Sequence, residues 1–206
     1  MVKIAVLDYG IGNLRSAQKA FVRSGADASL TTDEEMILAS DGVVLPGVGN
    51  FGNCAKALND SGVRDVAIRA IRKRLPFLGI CVGMQLLYGS SDESPGAEGL
   101  GVLEGHVKLL KNAPKVPQMQ WNHINVTQSS PLLKGVDNQW FYFVHSYAVE
   151  QSASNQDTIA TCDYGAPVIA AVQSGLIFGT QFHPEKSGKA GQALLKNFIS
   201  ICESSI

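Results

Sequence analysis

The chain has 206 residues, with 17 Lys and Arg against 18 Asp and Glu and a formal net charge of -1. That balance excludes the electrostatic footprint of a nucleic-acid binder or a polybasic membrane binder. Hydrophobic residues reach 45% and charged residues only 17%, which excludes intrinsic disorder and hints that a partner covers part of the surface.

Residues 3–7, Lys-Ile-Ala-Val-Leu, read as a buried strand leading into the turn Asp8-Tyr9-Gly10-Ile11-Gly12. Asn13 is expected to cap a helix reaching about Ser24, with Leu14, Ala17, Phe21 and Val22 at helical spacing. Residues 28–31 and 41–46 read as the second and third strands, the latter stopping at Pro46. Helical patterns over 53–58 and 63–73 precede a fourth strand over 76–80 that runs into Cys81. Strands separated by helices predict right-handed crossovers and a mostly parallel sheet. Beyond Gly99 the helices disappear: strands are expected over 106–110, 124–127, 140–144 and 158–162, then a hairpin of 168–173 and 176–180 across Ser174-Gly175. A helix over 189–201 closes the chain. With no repeat, low-complexity segment or linker, one domain over residues 1–206 is expected.

Gly79-Ile80-Cys81-Val82-Gly83 lies where a buried strand turns into a helix expected to start near Met84. Small residues on both flanks let a strained turn close, so that Cys81 projects at the tip of the sheet as an elbow nucleophile does. A helix N-terminus behind it favours a thiolate. The alternative is a buried structural cysteine, which is the reading for Cys54, Cys162 and Cys202. The four cysteines form no C-x-x-C pair, so reduced thiols are expected, with no disulfide framework and no metal site. The N-terminus lacks a signal-peptide core, and the apolar stretch 168–182 is broken by Gln173, Ser174, Gly175, Gly179 and Gln181. A cytoplasmic location is expected.

A cysteine nucleophile needs a base and a group to orient it. In His183-Pro184-Glu185, two residues along an extended chain face one side, so Glu185 is placed to hold the His183 imidazole; a plain polar turn is the other reading. Pro46-Gly47-Val48-Gly49 follows the third strand and offers backbone N–H groups for an oxyanion, with Val48 N–H as one donor and Val82 N–H, just past the nucleophile, as the second. An ordinary turn is again the alternative.

The series Pro46-Gly47-Val48-Gly49, Gly79-Ile80-Cys81-Val82-Gly83-Met84-Gln85-Leu86-Leu87 and His183-Pro184-Glu185-Lys186-Ser187 resembles class I glutamine amidotransferase domains. Asp8-Tyr9-Gly10-Ile11-Gly12-Asn13-Leu14, Met119-Gln120-Trp121-Asn122 and 141–147, Phe-Tyr-Phe-Val-His-Ser-Tyr, narrow the resemblance to glutaminase subunits of imidazole glycerol phosphate synthase in histidine biosynthesis. It implies an α/β, flavodoxin-like fold: a mostly parallel central sheet flanked by helices, with antiparallel strands added in the C-terminal half. It further implies a Cys81–His183–Glu185 triad without a cofactor, in which Cys81 attacks the glutamine side-chain amide and His183 protonates the departing ammonia. Gly47, Gly49, Gln85, Glu93, Val144, His145 and Ser146 match the substrate pocket; a solvated helical Gln85 is the competing reading. The implied partner is a (β/α)8-barrel cyclase subunit receiving the ammonia in a heterodimer, with Asn13, Trp121, Tyr142 and Lys186 on the partner-facing side or, alternatively, ordinary surface.

One position departs from the family pattern. Gln120 stands where the family typically has Gly, and a glycine-only backbone angle there would strain it. Gly10-Ile11-Gly12 lacks the third glycine of a dinucleotide loop, since Arg15 occupies that position. The glutaminase of pyridoxal phosphate synthase, and cysteine peptidases or chaperones of the same elbow fold, are the alternative functions.

Overall fold

The structure, a computed structural model, describes residues 1–150 and 156–205. Its parallel half comprises β1 (Lys3–Leu7), β2 (Asp27–Thr31), β3 (Gly42–Gly47), β4 (Phe77–Cys81) and β12 (Ile177–Thr180). Antiparallel strands β7 (Asn125–Val126), β10 (Thr158–Asp163) and β11 (Pro167–Ser174) extend one edge, giving the order β2-β1-β3-β4-β12-β11-β10-β7. Central β3 and β4 are buried along their whole length, as parallel strands covered on both faces must be. The hairpin of β11 and β12 turns through Gly175, whose φ of +59° suits glycine.

The helices are α1 (Leu14–Arg23), α2 (Glu34–Leu38), α3 (Phe51–Asp60), α4 (Val63–Arg72), α5 (Val82–Gln85) and α6 (Gly188–Ser204). Helix α1 buries Leu14, Ala17, Ala20 and Phe21, and Phe21 meets Phe198 of α6 edge-on at 5.9 Å. Val22 was expected on that face but is 52% exposed; at 100° per residue it falls outside the stripe, beyond Leu14 on the side away from Ala17 and Ala20. Helix α2 was not anticipated. It is one short turn, started by the Asp33 carboxylate accepting from Met36 N–H at 2.8 Å.

Two ribbons were also only half anticipated. Strand β5 (Val107–Leu109) pairs with β9 (Tyr147–Val149), and β6 (Gln118–His123) with β8 (Trp140–His145). Strand β6 escapes a hydrophobic pattern because its buried position is filled by a polar residue, Gln118. Gln120 lies in this strand opposite Phe143 and is not among the residues with positive φ. The ribbon is therefore built without a glycine there.

The turn from β4 into α5 depends on two close approaches. A Cβ on Gly79 would sit 2.6 Å from the Gly83 carbonyl oxygen, and one on Gly83 only 1.8 Å from the Leu45 carbonyl oxygen. Both obstacles are backbone, so relief requires moving β3 or α5. Gly83→Ala is expected to destabilise the chain by about 3 kcal/mol, the upper range for overpacking. Urea unfolding checks this, and a loss below about 1 kcal/mol would show that the approach has slack.

Candidate active site

Cys81 ends β4 with φ +55° and ψ −113°. Such a conformation costs a non-glycine residue about 1–3 kcal/mol and clusters at functional sites. Helix α5 starts at Val82, immediately behind the thiol, rather than near Met84. Gly47 is the register partner of Cys81 across the β3–β4 pair, which brings the 46–49 loop beside the elbow. A cavity of about 520 Å³ opens here, lined by Cys81, His183, Gln85, Glu93, Val48, Gly49, Val82, Val144, His145 and Ser146 among others. The structure thus brings together both oxyanion candidates and most of the substrate-pocket candidates; Gly47 stands just behind them.

His183 and Glu185 arrive on the short 3-10 turn Pro184–Lys186. Nδ1 of His183 lies 2.8 Å from Glu185 Oε1, and both side chains are buried. His183 Nε2 is buried with no hydrogen-bond partner among the described residues, and it shares the cavity with Cys81. Burial alone lowers the imidazole pKa, but its interactions with Cys81 and with the Glu185 carboxylate outweigh that and hold the group up at about 10. The ring is therefore built to carry a proton beside the sulfur. Backbone bonds fix it: His183 N–H donates to the Tyr142 carbonyl at 3.0 Å, and the Ser187 hydroxyl donates to the His183 carbonyl at 2.6 Å.

The remaining candidates divide clearly. Gln85 is only 2% exposed, which removes the solvated reading; its Nε2 donates to the Tyr147 carbonyl at 2.9 Å and to Gln181 Oε1 at 3.1 Å. Glu93 Oε2 accepts from Phe51 N–H at 2.7 Å, anchoring the carboxylate at the start of α3, where the helix dipole favours it. His145 Nδ1 donates to the Tyr147 carbonyl at 2.9 Å and its Nε2 meets the Gln118 side-chain amide at 3.0 Å, so its ring is occupied away from Cys81. Asn13 precedes α1 without capping it; instead its Nδ2 donates to Glu185 Oε1 at 3.4 Å. Trp121 and Tyr142 lie on the outer face of the β6–β8 ribbon with ring centroids 6.1 Å apart, and Lys186 Nζ stands 5.8 Å over the Tyr142 ring. Lys186 and Asn13 also line the cavity; Trp121 does not.

Three contributors escaped the sequence. The Tyr9 hydroxyl donates to the Pro46 carbonyl at 2.6 Å and the Cys54 thiol to the Val48 carbonyl at 3.4 Å, pinning the loop on either side of Gly47. Gln181 reaches Cys81 Sγ at 3.8 Å. Only its place two residues before His183 in an extended segment signalled that it faces the same site.

The profile of the class I glutamine amidotransferase family matches residues 5–202. The chain is a class I glutamine amidotransferase. It is 47% identical over 198 residues to imidazole glycerol phosphate synthase subunit HisH of Methanothermobacter thermautotrophicus, covering 96% of this chain and 98% of that one. The HisH subunit of Bacillus cereus is 43% identical over 202 residues, covering 98% and 96%. Among solved structures, that of PurLQS from Thermotoga maritima superposes with a TM-score of 0.78 at 19% identity, covering 97% and 98%, and supports the fold. Among the described residues of this amidotransferase no helix is long and apolar enough to cross a membrane, and no group of acidic, His or Cys side chains is arranged to hold a metal.

Burial pushes the His145 pKa of the amidotransferase down to about 4, helped by the neighbouring charge of His183, against a raising effect of the Tyr147 carbonyl. The sign follows: the unfolded chain binds this proton from about pH 6.5 downward while the folded chain refuses it until about 4. Stability is fully present above pH 6.5 and declines below it by up to about 1.4 kcal/mol per pH unit from this group. Urea titrations at pH 7 and pH 5 read the slope, and His145→Asn should flatten it.

Proposed function

We propose that this chain is the glutaminase subunit of an imidazole glycerol phosphate synthase, hydrolysing glutamine in the cytoplasm and passing the ammonia to a cyclase subunit of (β/α)8-barrel form for histidine biosynthesis. The observation that carries the chemistry is a strained, buried Cys81 sharing one cavity with His183, whose Nδ1 is braced by Glu185 and whose Nε2 is left for the thiol. The likeness to HisH subunits over nearly the whole chain favours this acceptor over pyridoxal phosphate synthesis, and over peptidase or chaperone activity.

In this mechanism Cys81 Sγ attacks the side-chain carbonyl carbon of glutamine, and its proton resides on His183. The oxyanion that develops is met by the N–H groups of Val48 and Val82. The C–N bond breaks as His183 Nε2 hands its proton to the leaving nitrogen, releasing ammonia and leaving a γ-glutamyl thioester. Water, deprotonated by the same imidazole, attacks the thioester; glutamate leaves and the thiol is restored. Glu93 and Gln85 receive the amino-acid end of the substrate, with the backbone at Val144–Ser146 beside its carboxylate. No step needs a cofactor.

A diazoketone analogue of glutamine should label Cys81 and abolish glutamine-dependent synthesis, while Cys81→Ala keeps synthesis from added ammonia. His183→Ala should lower glutaminase turnover by about 10³-fold, within the range for a general acid–base group; Glu185→Gln, which only orients the ring, should lose less. Peptide mapping and steady-state rates check both, and labelling at Cys54 with full inactivation would overturn the assignment.

The partner side follows from exposure. Met119, Trp121 and Trp140 on the ribbon's outer face are 64%, 47% and 51% exposed, an apolar surface bordering the cavity. The cyclase docks there, and its ligand orients the Gly47–Val48 peptide between its two pinned neighbours. One oxyanion donor is worth about 10²–10³ in rate, so glutamine hydrolysis should rise by that order from the isolated chain to the liganded complex. Equal turnover in the isolated chain, the complex and the liganded complex would refute this control while leaving the triad standing.

A further inference from the structure

We propose that Gln181 is a catalytic residue of this site: its side-chain amide donates to Cys81 Sγ and holds the thiolate, with its orientation dictated by a backbone carbonyl two hydrogen bonds away. This rests on Cys81 being the nucleophile. Gln181 is fully buried just beyond β12, and its own N–H is fastened to the Ala170 carbonyl at 2.8 Å.

An amide of this kind has two faces, one donor and one acceptor, and which face meets the sulfur decides its effect. The carbonyl of Tyr147 accepts and never donates. It therefore requires the amino group of Gln85, which reaches it at 2.9 Å. The second hydrogen of that same nitrogen points to Gln181 at 3.1 Å, so Gln181 must answer with its oxygen. Its nitrogen is left facing Cys81 Sγ at 3.8 Å. The donor face is thus imposed from a distance and cannot turn over without breaking the Gln85 bond.

The effect on the sulfur has a definite sign. Cys81 also lies 4.0 Å from the Val144 carbonyl, which accepts from a thiol and repels a thiolate. The amide N–H of Gln181 does the reverse, favouring the charged form. Of the titratable groups facing the sulfur, His183 supplies a positive charge, whereas Tyr9 after β1 and Cys54 on α3 are neutral thiol or phenol when protonated, both with pKa values raised mainly by burial. Glu93 lies across the same cavity. A neutral amide donor therefore adds thiolate preference without another charge having to be buried.

The test replaces Gln181 in the full chain by Met, which preserves length and apolar packing but cannot donate, and by Asn, which retains the amide but withdraws it from the sulfur. The pH dependence of Cys81 alkylation by iodoacetamide is followed by peptide mass spectrometry, and thermal unfolding verifies that each variant is folded. Removing the donor should raise the alkylation midpoint by about one pH unit and slow alkylation below it about tenfold. Either folded variant suffices for the measurement. A midpoint unchanged in folded protein, with Cys81 still the thiol whose modification stops glutamine hydrolysis, would overturn the role of Gln181 alone. Hydrolysis that survives full modification of Cys81 would instead remove the nucleophile assignment on which it rests.

Discussion

The geometry of one peptide turn governs the rest of this molecule. Cys81 adopts a positive φ without capping the helix that follows it, between Gly79 and Gly83, each lacking the Cβ that would strike a neighbouring backbone. Close packing on both sides over-determines the strained conformation. In return the thiol stands clear of the sheet, directly ahead of the first N–H groups of α5. The register of β3 on β4 then decides which loop stands beside it, and that of β12 on β4 decides where the segment carrying Gln181 and His183 emerges.

The residues around that turn show a layered polarity. The charged pair His183–Glu185 is confined to one short turn held by backbone bonds, while a separate chain of neutral amides, Gln181 and Gln85, ends on the Tyr147 carbonyl. Burial is costly for charges and much less so for amides that satisfy one another. The arrangement gives the thiol a charged partner on one side and neutral amide donors on the other, with the Glu93 carboxylate and Lys186 elsewhere in the cavity lining.

Much of this was legible in the sequence, and the reasons are physical. Residues 4–7 and 76–80 are continuous runs without a polar side chain, bounded by turns, so their strands were readable, and β1 falls where the pattern put it. The elbow and His183-Pro184-Glu185 are short, local and geometrically constrained, so the proximity of His183 to Glu185 followed from spacing. What escaped depended on distant partners. Strand β6 is recognised only once β8 lies beside it, because Gln118 is buried through bonds to His145 and Cys162 rather than through apolar character. Gln181 acquires its orientation from Gln85, and Tyr9 its purpose from the Pro46 carbonyl; neither relation has a sequence period.

Asn13 shows where fold and site draw on the same atoms. It occupies the position before α1 where an amide or hydroxyl would satisfy the helix's open N–H groups, an interaction worth about 1 kcal/mol. Its side chain instead turns to the Glu185 carboxylate, 172 residues away along the chain. Helix α1 consequently begins with a weakened first turn and is held chiefly by its buried face against the sheet and α6. Thermostabilisation by the usual route of optimising helix caps is therefore the wrong strategy at this end of α1: Asp or Ser there would improve the helix while taking an amide donor from the one carboxylate that steadies His183.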